Sequence, residues 1–317
     1  MAYRDNFSLL IPTKDRQDIL ASTLSLYNHM ESPFRFLIVD ASATPNETLE
    51  RDYPKLKISY THLPNSSVFE AIQTALANCS TSFCTFCGDD DVVLTEGAEK
   101  CIEQLLDDQS ISICSGHAMF IYYEKKHQGE GFIHSKPRGW YTPNWRSLYD
   151  PKSEERFNRF KDNYQVLQYG VTRTAIATLA YSKQLIPLDK INRNLPEIAV
   201  CSALAYLGTV KIIENVWLLR GVGVHRELNA QVAKANTNFN QATKENTKSH
   251  LRQYFLQVTN DTSLTQLMTN WAFERALLPF ENTKAKKNWV HRFKFIRLLM
   301  LAFKPKLAVH MLRLALK

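Results

Sequence analysis

Phe83-Cys84-Thr85-Phe86-Cys87-Gly88-Asp89-Asp90-Asp91 runs from an apolar, aromatic segment directly into a glycine and three carboxylates. Such a run suits a short buried strand, here Phe83 to Cys87, whose end emerges at a surface. On either side of it, strand and helix signals alternate. Upstream, Val68 to Asn78 has helical spacing, with Val68, Ile72, Ala75 and Leu76 on one face. Ile58 to Leu63 is a weak strand, Phe34 to Val39 a stronger one ending at Asp40, and Asp15 to Met30 a helical stretch. The first strand, Phe7 to Ile11, is closed by Pro12. Downstream, Glu96 to Asp107 reads as a helix with Ala98, Ile102, Leu105 and Leu106 inward, and Ile111 to Cys114 and Met119 to Tyr123 read as further strands. This alternation predicts an α/β fold, a mainly parallel sheet flanked by helices on both faces. In such sheets the ligand lies beyond the carboxyl ends of the strands.

Three segments follow those strand ends: Pro12-Thr13-Lys14-Asp15-Arg16, Asp40-Ala41-Ser42, and Gly88-Asp89-Asp90-Asp91. Three adjacent aspartates repel one another unless something offsets their charge. A divalent cation does so, because Mg²⁺ and Mn²⁺ take oxygen ligands and bridge carboxylates to substrate phosphates, acting there as a Lewis acid on a departing diphosphate. The plainer alternative is a helix N-terminus, where aspartates complement the dipole. Val92-Val93-Leu94 separate the cluster from the helix at Glu96, and three aspartates exceed what a cap needs.

These segments resemble four motifs of the family 2 glycosyltransferases of the GT-A fold. Ser8-Leu9-Leu10-Ile11-Pro12-Thr13-Lys14-Asp15-Arg16 resembles their "IPTYNR" opening, and Phe36-Leu37-Ile38-Val39-Asp40-Ala41-Ser42 their "IVVDDGS" strand end. Asn65-Ser66-Ser67-Val68-Phe69-Glu70-Ala71 resembles "N-x-G-x-x-x-A", and Thr85 to Asp91 their "D-x-D-D" segment. Order and spacing agree over residues 7–105. The resemblance implies a GT-A-like sheet, a nucleotide-diphosphate sugar donor, UDP-linked, and Mg²⁺ or Mn²⁺ as cofactor. It assigns Pro12, Thr13, Asp15, Arg16, Asp40, Asn65, Asp89 and Asp90 to the donor, with Asp40 contacting the base or ribose. Asp89, Asp90 and Asp91 are assigned to the metal. An ungapped alignment puts Gly88 at the first Asp of the motif and Asp90 at the second; a one-residue shift makes the pair Asp89 and Asp91. Ala41 and Ser67 also depart from the pattern.

Inverting members of this family need a carboxylate to take the acceptor's proton, usually at the start of a helix within "P-E-D-x-x-L". Leu195-Pro196-Glu197-Ile198 opens such a helix, closed by Leu207-Gly208. Ile198 stands at the usual Asp, which leaves Glu197 as the candidate base, or as an acidic residue complementing the helix dipole. After the strand Val210 to Ile213, Leu218 to Arg226 holds Gly221 and Gly223 and then His225, a candidate metal or diphosphate contact by the same resemblance. Arg220 and Arg226 could pair with phosphate oxygens, or be ordinary solvated residues.

The chain has 317 residues and a net charge of +8, from 39 Lys+Arg and 31 Asp+Glu. Residues 284–317 contain ten Lys or Arg and no acid, leaving 29 basic and 31 acidic residues for the rest. Three segments follow: 1–232 as the GT-A-like domain, 233–283 as a helical C-terminal extension with helices at Ser249–Val258 and Leu264–Leu278, and 284–317 as a basic amphipathic tail. In the tail, Trp289, Phe293, Ile296, Met300, Phe303 and Leu307 form a helical apolar stripe, kinked at Pro305. A helix of this type lies in a membrane interface with its cations toward anionic lipid. Docking on the body and nucleic-acid binding compete; the latter lacks any recognition motif. The aromatic loop from Gly129 to Pro151 reads as a lid or as a packed surface loop.

No secretory leader is legible at the N-terminus, and the longest uncharged apolar run of the tail, Leu298 to Phe303, has six residues against the ~20 that a spanning helix needs. Six cysteines without a leader read as reduced thiols, and Cys84–Cys87 as strand residues rather than a metal or redox CxxC. The expected location is cytoplasmic, peripheral at the inner face of the cell membrane, with a glycan or lipid-linked glycan acceptor of the cell surface and no nucleic acid. Two rivals stand beside this reading. A nucleotidyltransferase would share the sheet and carboxylates but would need a glycine-rich loop after the first strand, which Pro12 to Arg16 lacks. A GT-A-like scaffold without catalysis is suggested by Gly88 and Ile198.

Overall fold

A computed structural model describes residues 6–125, 132–134, 145–191, 194–222 and 241–277. In chain order these form β1 (Phe7–Thr13), α1 (Gln17–His29), β2 (Arg35–Asp40), α2 (Leu49–Asp52), β3 (Lys57–His62), α3 (Val68–Ala77), β4 (Phe83–Phe86), β5 (Val92–Val93), α4 (Thr95–Asp107), β6 (Ile111–Lys125) and β7 (Phe132–His134). There follow α5 (Ser153–Asp162), β8 (Val171–Arg173), α6 (Thr174–Ala180), α7 (Ile186–Ile191), α8 (Asn194–Leu207), β9 (Thr209–Val222), α9 (Gln241–Thr259) and α10 (Thr262–Leu277).

The described strands make one sheet in the order β3-β2-β1-β4-β8-β6-β9-β5, with β7 paired to β6. The N-terminal half is parallel, as the alternating pattern predicts, because α1 and α3 carry the chain back between strands. β2 and β3 pair in parallel, and β1 pairs in parallel with both β2 and β4. Their register aligns Thr13 with Asp40 and Asp40 with His62, so three polar residues end level at one edge. The short strands β5, β7 and β8 add antiparallel partners. Pro12 fits inside β1 because even-numbered β1 residues face β4, and β4 pairs only as far as Leu10.

Leu9, Ile11, Phe36, Ile38 and Phe83 fill the core from this half of the sheet, all fully or nearly fully buried. Tyr27 of α1 is buried edge-on against Phe36, and its hydroxyl accepts the Val93 amide at 2.6 Å. That single residue ties α1 to the segment following the aspartates. Two inner-face assignments are corrected. Val68 and Leu106 are 47% and 42% exposed, while Phe69 and Cys101 are buried in their helices. Val68 follows the cap residue of α3 directly and so lies in the first turn, where the chain has just left the surface.

The two strands expected at Ile111–Cys114 and Met119–Tyr123 are one, β6, with register irregularities between Ser115 and Ala118. Gly116 sits there because a Cβ would lie 2.2 Å from the Asn215 carbonyl oxygen of β9. β9 likewise extends well beyond Val210–Ile213. α9 begins at Gln241, eight residues before the helix expected at Ser249. Its buried Thr247 returns its hydroxyl to the Thr243 carbonyl at 2.7 Å, which satisfies a polar residue without breaking the helix. Leu251, Tyr254 and Phe255 are fully buried in the same core as the sheet, and the Tyr254 hydroxyl donates to the Ala180 carbonyl at 2.7 Å. All six cysteines are free, and Cys84 and Cys87 are buried. Among the described residues no helix is long and apolar enough to cross a membrane. The tail, 284–317, and most of the aromatic loop lie outside the described residues.

Candidate functional site at the strand edge

Backbone geometry brings the predicted segments together. Asp15, at the turn from β1 to α1, has φ of 53°, a left-handed conformation that Asp tolerates. Its amide donates to the Ser42 hydroxyl at 2.8 Å, tying the end of β1 to the end of β2. Asn65 adopts φ of 63°, and its amide reaches the Ala41 carbonyl at 3.1 Å. Ser67, where the family pattern has Gly, caps α3. Its hydroxyl accepts the Glu70 amide while the Glu70 carboxylate accepts the Ser67 amide.

Asp40 is 1% exposed and holds two donors, the Ser42 amide on Oδ1 and the Tyr60 hydroxyl on Oδ2, each at 2.8 Å. Burial, with the Asp40 carboxylate adding to it, pushes Tyr60 up to about 12, so its proton stays on the phenol and points at Asp40. His62 Nε2 lies 2.8 Å from the Ser42 carbonyl oxygen.

The three aspartates do not share one task. Asp91 is fully buried. Its Oδ2 takes Arg220 at 2.7 Å and the Gly88 amide at 3.1 Å, and its Oδ1 takes the Gly221 amide at 2.8 Å. Arg220 also stacks on the Tyr169 ring, 4.1 Å from its centroid. Burial raises the Asp91 carboxyl above the usual range and Arg220 pulls it back. Asp89 is nearly as buried; Thr13 donates to its Oδ2 and Arg16 Nη1 to its Oδ1, both at 2.8 Å. Burial pushes Asp89 up to about 7 against the pull of Arg16. Asp90 is more open, and its Oδ2 takes Arg16 Nη2 at 2.7 Å. Burial works against the Arg16 charge, but Asp89 and Asp90 outweigh it and keep the guanidinium protonated.

Asp89 Oδ1 and Asp90 Oδ2 therefore converge on one cation, and that cation is Arg16. Carboxylate oxygens are the ligands Mg²⁺ and Mn²⁺ prefer, so Asp89 and Asp90 fit such an ion chemically. Asp91 is engaged as a buried ion pair. Among the described residues no three His, Cys, Asp or Glu side chains are grouped as a ready cation site. His225 and Arg226 lie outside the described residues.

Glu197, in the first turn of α8, is a second focus. Tyr164 donates to its Oε1 at 3.3 Å and Gln168 to its Oε2 at 2.9 Å. Burial raises its carboxyl, and Arg220, Tyr164, Arg275 and Gln168 favour the charged form. Arg220 thus acts electrostatically on Glu197 while bonded to Asp91. Arg275 of α10 lies over the Tyr164 ring at 4.9 Å, so the helical extension reaches this focus. The sequence points to none of Tyr60, Tyr164 and Gln168, and it points to Asp91 and Arg220 singly rather than as a pair. No motif or spacing marks Tyr60, Tyr164 or Gln168, because their roles rest on contacts between distant segments.

A mostly parallel α/β sheet with a carboxylate-rich turn after its fourth strand and a separate, partly buried carboxylate has the architecture of the GT-A class. Residues 8–172, just over half of the chain, match the model of Glycosyl transferase family 2, and the chain belongs to that family and is a glycosyltransferase. The match spans the aspartates but neither Glu197 nor Arg220. No curated protein matches the chain. Among solved structures, S. aureus TarS 1-349 in complex with UDP-GlcNAc has a TM-score of 0.52 at 14% identity, covering 96% of this chain and 83% of that one. The same fragment in complex with UDP has a TM-score of 0.50 at 14% identity, covering 93% and 79%. The longer S. aureus TarS structure has a TM-score of 0.49 at 15% identity. This chain covers half of its length, with 95% of the present chain aligned. At these identities the likeness speaks for the fold.

Proposed function

We propose that the chain transfers a sugar from a UDP-linked donor to a hydroxyl of a cell-surface glycan, with inversion at the anomeric carbon. The observation that carries this reading is the convergence of Asp89 Oδ1 and Asp90 Oδ2 at the carboxyl edge of β1 and β4, with Asp40 two strands from β4 at the same edge. Family membership supplies the reaction class, and the UDP and UDP-GlcNAc complexes of a protein with the same fold favour uridine.

Asp40, oriented by Ser42 and Tyr60, accepts from the base or ribose. Thr13, Asp15, Arg16 and Asn65 line the approach of the donor, with Pro12 shaping the end of β1. Asp89 and Asp90 would hold Mg²⁺ or Mn²⁺, with His225 as a further candidate ligand, and Asp91 anchors the turn that presents them. The cation, when bound, neutralises charge developing on the diphosphate. Glu197 takes the proton of the acceptor hydroxyl as its oxygen attacks the anomeric carbon. The bond from that carbon to the diphosphate oxygen breaks, and the electron pair leaves with the nucleotide.

Calorimetric titration with UDP, with Mn²⁺ and then with chelator, tests the donor site on the full chain, Asp90→Ala and Asp40→Ala. Binding that requires the metal, is lost in Asp90→Ala and is weakened in Asp40→Ala is the expected result. Equal affinity in all three proteins would place the donor elsewhere.

A further inference from the structure

Arg16 stands where a divalent cation would stand. One guanidinium takes Asp89 Oδ1 at 2.8 Å and Asp90 Oδ2 at 2.7 Å. A metal ion ligated by both oxygens needs ligand distances near 2.1 Å, and Arg16 already fills the position on which those two oxygens converge. The Arg16 side chain is 24% exposed, against 4% for Asp89, so it covers the carboxylates from the solvent side. Its backbone is fixed, since the Arg16 carbonyl accepts the amides of Ile19 and Leu20 and the neighbouring Asp15 amide is held by Ser42. Movement is therefore confined to the side chain. Nε is buried without a hydrogen-bond partner, so the head is held through its terminal nitrogens only. Those two terminal nitrogens are the donors that can pair with phosphate oxygens once a cation takes the carboxylates.

We infer that Arg16 is an exchangeable counter-ion. It neutralises Asp89 and Asp90 while the donor site is empty, yields them to the divalent cation, and transfers its two terminal nitrogens to the donor's diphosphate. This rests on the donor-site reading above and adds a consequence that reading does not contain. Metal and Arg16 compete for the same oxygens, whereas Arg16 and the nucleotide cooperate once the metal is in place. Removing Arg16 should therefore move the two affinities in opposite directions, which a purely structural role would not do.

The test uses the full chain, Arg16→Met and Arg16→Lys, with thermal melts to establish that each is folded. Mn²⁺ alone is titrated first, followed by the electron paramagnetic resonance of the free ion. UDP is then titrated calorimetrically at saturating Mn²⁺. Arg16→Met is expected to bind Mn²⁺ about tenfold more tightly and UDP about tenfold more weakly than the unaltered chain, within the usual range of coupling between sites. Arg16→Lys, which can pair with one carboxylate at a time, should show both changes in the same directions and smaller. It decides the matter if Arg16→Met does not fold. Unchanged or weaker Mn²⁺ binding in the folded variants, while the unaltered chain still takes UDP with Mn²⁺, overturns the exchange and leaves the donor site standing. Failure of the unaltered chain to bind Mn²⁺ even with UDP present overturns both.

Discussion

Gly88 stands where an ungapped alignment puts the first aspartate of the family motif, and a side chain there would crowd the carboxylates that follow. A Cβ at position 88 would lie 2.8 Å from Asp91 Oδ2 and 2.9 Å from Asp90 Oδ1, so the following carboxylates fold back over residue 88. The string of letters shows three aspartates but not how they divide, because that depends on Arg220, more than a hundred residues away, and on Arg16 from another strand end. Glu197 is the opposite case. Its position at a Pro-containing helix start is legible, but its setting among Tyr164, Gln168 and Arg220 is not, since no spacing rule links those residues. That setting makes a pH prediction. Burial raises the Glu197 carboxyl, and the Tyr164 hydroxyl opposes the rise by stabilising the anion. A base must be ionised to act, so activity falls as pH drops through the folded pKa. Tyr164→Phe removes a donor to the charged form and raises that pKa further. The acidic limb of the kcat/KM profile should then move to higher pH, with the alkaline plateau close to that of the unaltered chain. A limb that stays in place while the plateau falls would remove Glu197 from the role of base.

At the scale of elements, the sequence reads well where one periodicity runs uninterrupted between punctuating residues. β1, α1, β2, β3, α3, β4 and α4 all lie within about two residues of their expected bounds, the margin expected for helix and strand ends. It reads poorly where a strand carries its own irregularity. Gly116 divides β6 into two apparent strands, and β9 runs on through Asn215 to Val222, pairing with β6 on both sides of an irregularity at Ile213 to Asn215. The end of β9 is where this matters for the site. A Cβ at Gly221 would lie 2.2 Å from the Asp90 carbonyl oxygen, and the Gly221 amide donates to Asp91. The strand can approach the acidic turn this closely only without a side chain. Gly221→Ala should push β9 away from the turn, at a cost of roughly 1–3 kcal/mol as overpacking typically does. The lowered urea midpoint should be accompanied by weaker Mn²⁺-dependent UDP binding, because the displaced backbone belongs to Asp90. A stability loss with unaltered UDP affinity would show that the turn tolerates the shift.

Across the whole molecule, the helices of the extension pack on the same core as the sheet, burying Tyr254, Phe255, Met268 and Ala272 in it. Trp271 packs edge-on against Phe157 and Phe160, and Arg275 reaches the ring beside Glu197. Hydrophobic spacing indicated two helices there but could not say which surface they cover, since their apolar faces would suit a partner equally well. The charge asymmetry is a property of the whole chain too: a near-neutral body, and ten Lys or Arg without an acid in residues 284–317. Each cation near an anionic lipid surface contributes about 1 kcal/mol, and the charge part weakens with salt while the apolar part does not. The full chain is therefore expected to sediment with vesicles containing phosphatidylglycerol, and much less with phosphatidylcholine alone. High salt should reduce that binding without abolishing it, through the stripe of Trp289, Phe293, Ile296, Met300 and Phe303. A chain ending at Thr283 should stay in the supernatant with its UDP affinity intact. Retained vesicle binding in that shorter chain would move the contact onto the body, and absence of binding in the full chain would rule out membrane contact by the tail.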